Sequence, residues 1–214
     1  LKNYNFHKIQ KDLINFCSLD LSSFYFDIRK DVLYCDEKNS QKRKSCVDVL
    51  NIILDCLLKW YAPVLSFTTE EILELAKKNK NKSIHEEKFP QIPDGWNNLN
   101  LFKKWENLIA IRQKVNIAIE EKRSNKIIGS SLEAQVEISL PKTQYDILQK
   151  IDAEELFITS SVNQSISDKE KSEIEVNIKK AQGTKCSRCW KIVPSINENK
   201  CTRTKICPLQ NVGK

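Results

Sequence analysis

The sequence predicts a mainly α-helical protein: an antiparallel helical bundle, then a small α+β region, then a C-terminal module pinned by cysteines. Three observations predict this order. Apolar residues recur at helical spacing through the first part of the chain. The period then switches to strict alternation after Ser131. Four cysteines finally crowd into a short basic tail. The segments so defined are residues 1–125, 126–180 and 181–214, with a polar linker at about 79–100 inside the first.

Each element has its own local signal. Phe6, Ile9, Leu13, Phe16 and Cys17 share one helix face, and Phe24, Ile28 and Val32 share another. Ser22 and Ser23 sit between them and suit a helix start. Val47, Leu50, Ile53, Leu54, Leu57 and Leu58 make a wide apolar stripe that runs to Tyr61, where Pro63 ends it. Thr68 and Glu71 have capping-box spacing, and Phe67 and Ile72 can staple the same helix start. Pro90, Pro93, Asp94 and Gly95 then mark the linker. A long helix follows, with Phe102, Trp105, Leu108, Ile109, Val115 and Ile119 on one side. Leu132, Ala134, Val136, Ile138 and Leu140 alternate with polar residues as in a half-buried strand. Residues 156–162 and 174–178 read as two further strands, with a short helix near 144–150 between.

Composition excludes several classes of function. Only four glycines occur, at 95, 129, 183 and 213, and none are spaced as a phosphate cradle or dinucleotide fingerprint. The two histidines, His7 and His85, lie far from the cysteine cluster, so a multi-histidine catalytic metal site is excluded unless carboxylates fill it. The most apolar stretch, 49–66, is broken by Asp55 and Lys59, which rules out a membrane span there. Leu1 to Gln10 alternates polar and apolar residues, so no secretory signal is expected there. There is no methionine, not even at position 1, and the expectation is a piece of a longer polypeptide. The net charge of +7 is uneven. The last 34 residues carry seven cations and one anion, whereas the first 180 carry 28 cations and 27 anions. A basic end on a nearly neutral body points to one surface that meets a polyanion.

The eight cysteines fall into two groups. Cys17, Cys35, Cys46 and Cys56 stand singly on apolar helix faces, as small buried hydrophobes do. Cys186-Ser187-Arg188-Cys189 is a C-x2-C knuckle that can present two thiolates to a tetrahedral zinc ion. Cys201 and Cys207 follow, the flanks are basic, and the segment has too few apolar residues to fold without a staple. The second pair is C-x5-C; Thr204 and Gln210 occupy the places a regular knuckle gives to cysteine. Two readings follow: four cysteines in unusual spacing, or a decayed site. A zinc ion with four thiolates lowers the tail charge by two and leaves it basic. Trp190 lies between Arg188 and Lys191 directly after the knuckle, where it can stack on an unpaired base or cover the module's own small core.

Four ordered motifs resemble one family. Asn15-Phe16-Cys17-Ser18-Leu19-Asp20-Leu21-Ser22-Ser23-Phe24-Tyr25, with Asp27, Lys30-Asp31 and Leu33-Tyr34-Cys35, resembles the anticodon-binding helical domain of bacterial isoleucyl-tRNA synthetases. Ala62-Pro63-Val64-Leu65 with Thr68-Thr69-Glu70-Glu71-Ile72 looks like that domain's next helices. Ile128-Gly129-Ser130-Ser131-Leu132-Glu133-Ala134 is similar to the start of the family's small α+β region, and Lys185-Cys186-Ser187-Arg188-Cys189-Trp190 to its terminal zinc module. The resemblance spans essentially the whole chain. In one place the pattern departs: the family's last ligands form a second C-x2-C pair, and here Gln210 holds the second position while Cys201 stands ready to replace it.

The resemblance implies the rear portion of a class I aminoacyl-tRNA synthetase, a ligase that joins isoleucine to tRNA(Ile) with ATP. The ATP site and the catalytic and editing domains are expected upstream, so this chain alone is expected to be inactive. Its implied partner is the anticodon stem-loop. One Zn²⁺ per chain is expected on Cys186, Cys189, Cys201 and Cys207. Lys185, Arg188, Lys191, Arg29 and Lys30 are the candidate phosphate contacts, although Arg29 and Lys30 also fit a solvated helix edge; Trp190 is the stacking candidate. The protein is expected to be a cytoplasmic monomer with no membrane contact. Two other readings use the same cysteines: a stand-alone RNA-binding zinc module, and a DNA-repair glycosylase of the formamidopyrimidine type with a similar terminal finger. The helical region argues against the second.

Overall fold

A computed structural model describes residues 5–77, 82–167, 173–187, 189–194, 196–197 and 200–201. Helix dominates, and a small sheet lies in the second half. The chain forms two compact units. One is Lys38–Asn98; the other joins Leu1–Glu37 to Leu99–Lys214. This partition cuts across the three segments read from the sequence. The reason is that the long helix after the linker buries its apolar face against the sheet, within a single core.

In the Lys38–Asn98 unit, α3 (Gln41–Tyr61) is capped by Ser40, whose Oγ accepts the Arg43 amide at 3.4 Å. It ends before Pro63, as the sequence requires. Helix α4 (Ser66–Lys77) begins earlier than the capping box predicted. Ser66 Oγ donates to the Ala62 carbonyl at 3.1 Å, and Thr69 Oγ1 to that of Leu65 at 3.0 Å. These bonds carry the turn directly into the helix, so Thr68 is internal and Phe67, at 93% exposed, staples nothing. Leu58, Ala62, Leu73 and Ile84 form this unit's core. The polar segment is not a free linker. Glu70 accepts from Ser83 Oγ at 2.9 Å and from the Ile84 amide at 2.8 Å, which holds a 3-10 turn at Ile84–Glu86 against α4.

The other unit opens with α1 (Phe6–Asn15), whose first turn is capped by Asn5 Oδ1 accepting the Lys8 amide at 3.2 Å. The helix does not stop where Ser22 and Ser23 suggested a new start. Residues Phe16–Phe26 wind as a π-helix that leads into α2 (Asp27–Cys35). Ser23 Oγ donates to the Ser18 carbonyl, five residues back, at 2.8 Å. The hydroxyl thus satisfies an internal carbonyl instead of capping an end. Long π segments are rare and often mark functional places. Among the helix cysteines, Cys46 and Cys56 are buried, whereas Cys17 and Cys35 are half-buried.

The long helix is α5 (Leu99–Ser124). Leu108, Ile111, Val115 and Ile119 are buried along it and meet a three-stranded sheet of order β2-β1-β3. Strand β1 (Ala134–Leu140) lies at the centre and shows the predicted alternation of burial. Strand β2 (Ser161–Ile166) pairs with it in parallel, Val136 opposite Val162, and β3 (Glu175–Lys180) in antiparallel fashion, Val136 opposite Ile178. The parallel pair requires a crossover. Two helices supply it: α6 (Lys142–Leu148), as predicted, and α7 (Ala153–Phe157). The strand expected at 156–162 therefore begins late. Asp152 Oδ1 accepts the Glu155 amide at 3.0 Å and starts α7; Ile158, at φ 56°, ends it, and β2 begins only at Ser161. Among the described residues no helix is long and apolar enough to cross a membrane.

Candidate nucleic-acid interface

The cysteine segment folds as a small hairpin within the Leu1–Glu37 and Leu99–Lys214 unit. Strand β4 (Thr184–Lys185) pairs in antiparallel register with β5 (Ile192–Val193). Gly183 precedes it at φ 138°, a conformation that L side chains rarely adopt, and an added Cβ would lie 2.2 Å from the Val193 carbonyl oxygen. Only glycine fits that crossing. Between the strands the chain makes a tight turn. The Cys186 amide donates to the Lys191 carbonyl at 2.9 Å, and the Trp190 amide donates to the Cys186 carbonyl at 2.9 Å. Cys186 is buried, Cys189 is half-buried, and both pack with Val193; neither is in a disulfide.

The turn sends consecutive side chains in opposite directions. Trp190 has φ 61°, a left-handed conformation that costs a non-glycine residue of order 1–3 kcal/mol. The residue is 62% exposed. A large aromatic residue with this exposure on a left-handed turn has the free surface that a stacking platform needs. Lys191 goes the other way. It is 1% exposed, and its Nζ lies 3.9 Å from Asp31 Oδ2 on α2. Among the described residues that ammonium finds no hydrogen-bond partner. The phosphate contact expected at Lys191 therefore does not match its position: the charge is enclosed, with an acidic neighbour instead of solvent.

The remaining predicted contacts divide. Lys185 is half-exposed, and its ammonium lies 3.6 Å from Glu133 Oε1. Glu133 is drawn below the usual carboxylate range chiefly by the Gly129 amide, which donates to it at 3.0 Å, with Lys185 and Lys180 adding to the effect. Arg29 is drawn inward, Nη1 to Glu155 Oε1 at 2.7 Å, whereas Lys30 makes a surface pair with Asp27 at 3.0 Å. Arg188, Cys207, Thr204 and Gln210 lie outside the described residues. Cys201 ends β7 (Lys200–Cys201), which pairs with β6 (Ile196–Asn197), and its side chain is also outside them. Among the described residues no three His, Cys, Asp or Glu side chains gather as a metal site. Cys186 and Cys189 can supply two thiolates from one turn, which fits half of a tetrahedral zinc site.

Two features of this surface escaped the sequence reading. Ser160 accepts the Ile192 amide at 2.7 Å and donates to the Leu132 carbonyl, tying the hairpin to the sheet. On α2, three charged residues each find a different partner. Asp27 meets Arg112 at 3.0 Å, Arg29 meets Glu155, and Asp31 meets Lys191. Arg112 also lies 5.3 Å over the Phe24 ring, which packs edge-on to Trp105 with centroids 6.0 Å apart. The run Asp27, Arg29, Asp31 looks like an ordinary solvated helix edge, and nothing in its spacing distinguishes it.

Residues 1–138 match the family described as anticodon-binding domain of tRNA ligase. An isoleucine–tRNA ligase from Pelagibacter ubique is 53% identical over 204 residues, covering 94% of this chain and 22% of the relative. One from Agrobacterium fabrum is 39% identical over 92% of this chain and 21% of the relative. One from Brachyspira hyodysenteriae is 42% identical over 94% of this chain and 23% of the relative. The chain thus spans about a fifth of the length of these relatives. The match over 138 of 214 residues, on the helices just described, carries the assignment: this chain belongs to the anticodon-binding domain family of the tRNA ligases.

Proposed function

We propose that this chain is the tRNA-recognition portion of an isoleucine–tRNA ligase and that its ligand is the anticodon stem-loop of tRNA(Ile). The observation that carries the reading is the outward-facing Trp190, held on a strained turn in a chain of this family. Anticodon bases are unpaired, so they can be splayed out, stacked on an aromatic ring and read at their edges. Lys185, half-exposed on the adjoining strand, gives a phosphate contact that sets register without reading sequence. The ligation of isoleucine with ATP belongs to the complete polypeptide, and its catalytic and editing steps are assigned to other parts of it. Cys186 and Cys189 supply two ligands of a structural zinc, with Cys201 and Cys207 as the sequence candidates for the others. A zinc ion held by these thiolates would pin the turn that carries Trp190, a structural role.

Titration of labelled tRNA(Ile) with the full chain tests this. Binding is expected, with an affinity that falls steeply as salt rises, because lysine–phosphate contacts release counterions. A salt-insensitive affinity, or equal affinity for duplex DNA, overturns the reading.

A further inference from the structure

We infer that Lys191 is a positioning residue: paired with Asp31 of α2, it holds the cysteine turn against the helices and so fixes Trp190 in its outward, left-handed conformation. This rests on the RNA-binding role proposed above and deepens it. Burying an ammonium is costly, and it persists only where a counter-charge accompanies it. Asp31 is that counter-charge, at 3.9 Å. A left-handed non-glycine residue likewise persists only where its surroundings over-determine it. Trp190 is bracketed for this purpose. Before it, Cys186 accepts its amide proton; after it, Lys191 is drawn toward Asp31 and Ile192 donates to Ser160. If the backbone at 190 relaxed toward the right-handed region, the alternation of outward ring and inward ammonium would be lost.

The sign of one substitution separates positioning from plain electrostatics. Asp31→Asn removes a negative charge, so charge arithmetic alone predicts tighter RNA binding. Positioning predicts the opposite: tRNA(Ile) affinity about tenfold weaker, a large part of what removing a stacked aromatic loses. Asp31→Glu restores it. On a Trp190→Ala background, Asp31→Asn adds no further loss, because the two act through one contact. Unchanged or tighter binding by Asp31→Asn overturns the inference, and so does a full additive loss on the Trp190→Ala background. A second measurement needs no RNA. The acrylamide quenching of Trp190, taken as wild type minus Trp190→Phe, is expected to change in Asp31→Asn while circular dichroism stays constant. Unchanged quenching overturns the inference even if the chain ignores tRNA; absent tRNA binding with altered quenching overturns only the proposed function.

Discussion

Around β1, Leu108, Ile111, Val115, Val136, Ile138 and Phe157 close on one another with almost no solvent access, whereas at the 186–191 turn and the strand after it the buried apolar side chains among the described residues are Cys186 and Val193, with Cys189 packed beside them. The two regions share one compact unit but not one source of order. The sheet region is held by apolar burial, which is additive and non-directional. The described residues of the turn have too little apolar surface for that. Its described anchors are polar and specific: Ile192 to Ser160, Lys191 to Asp31, Lys185 to Glu133. A core of the first kind tolerates modest changes in shape. A turn of the second kind holds one geometry or none, which suits the presentation of a single aromatic ring.

The largest expected effect comes from the metal. Structural zinc in small modules supplies on the order of 10 kcal/mol of folding energy. Purified under reducing conditions, the chain is expected to carry about one zinc ion. Its removal by a chelator is expected to abolish hydrogen-exchange protection at Cys186 and Trp190, while β1 stays protected. Collapse of protection in β1 as well would erase the contrast between the two regions, and a metal-free preparation with an intact turn would remove the zinc from the account. Next comes Phe157→Ala. This side chain is 1% exposed in the sheet core, so its removal is expected to cost about 3–5 kcal/mol in denaturant unfolding. Zinc content of the folded fraction is expected to stay the same. A mutant that loses both together shows that the turn depends on the core.

The smallest effect is a pH dependence at the seam. The Gly129 amide holds the Glu133 carboxyl below its ordinary value in the folded chain. The unfolded state therefore binds the proton more readily, and the linked stability is present above about pH 4.3 and lost as pH falls through the depressed folded value. Glu133→Gln is expected to flatten this acid-side decline in melting temperature. An unchanged acid profile would show that Glu133 adds no linked stability at the edge of the turn.

How much was legible in the chain depended on range. Strand β1 could be read because its alternation is a period-two signal within seven residues. The end of α3 could be read from Pro63. Helix α7 could not, because Leu156 and Phe157 look as apolar in a strand as in a helix, and the Asp152 cap outweighs them. The π-helical passage through Ser22 and Ser23 was hidden for a related reason: a serine that bonds a carbonyl five residues back has the same one-letter appearance as a cap. Within the candidate site the cysteine pair and Trp190 stood out by spacing and composition. Asp31 and Ser160 did not, since each acquires meaning only beside a partner distant in sequence.

Local pattern alone dictated the helical character, the central strand, the C-x2-C turn and the family motifs, because each is written in neighbouring residues and needs no distant contact to be recognised. Spatial folding settled the rest. Whether Trp190 or Lys191 faces solvent depends on the φ angle at residue 190 and on an aspartate brought up from α2. Both residues occur in a basic stretch, and as letters they were equally plausible RNA contacts. In the folded chain the tryptophan is exposed, and the lysine is buried beside a carboxylate of α2.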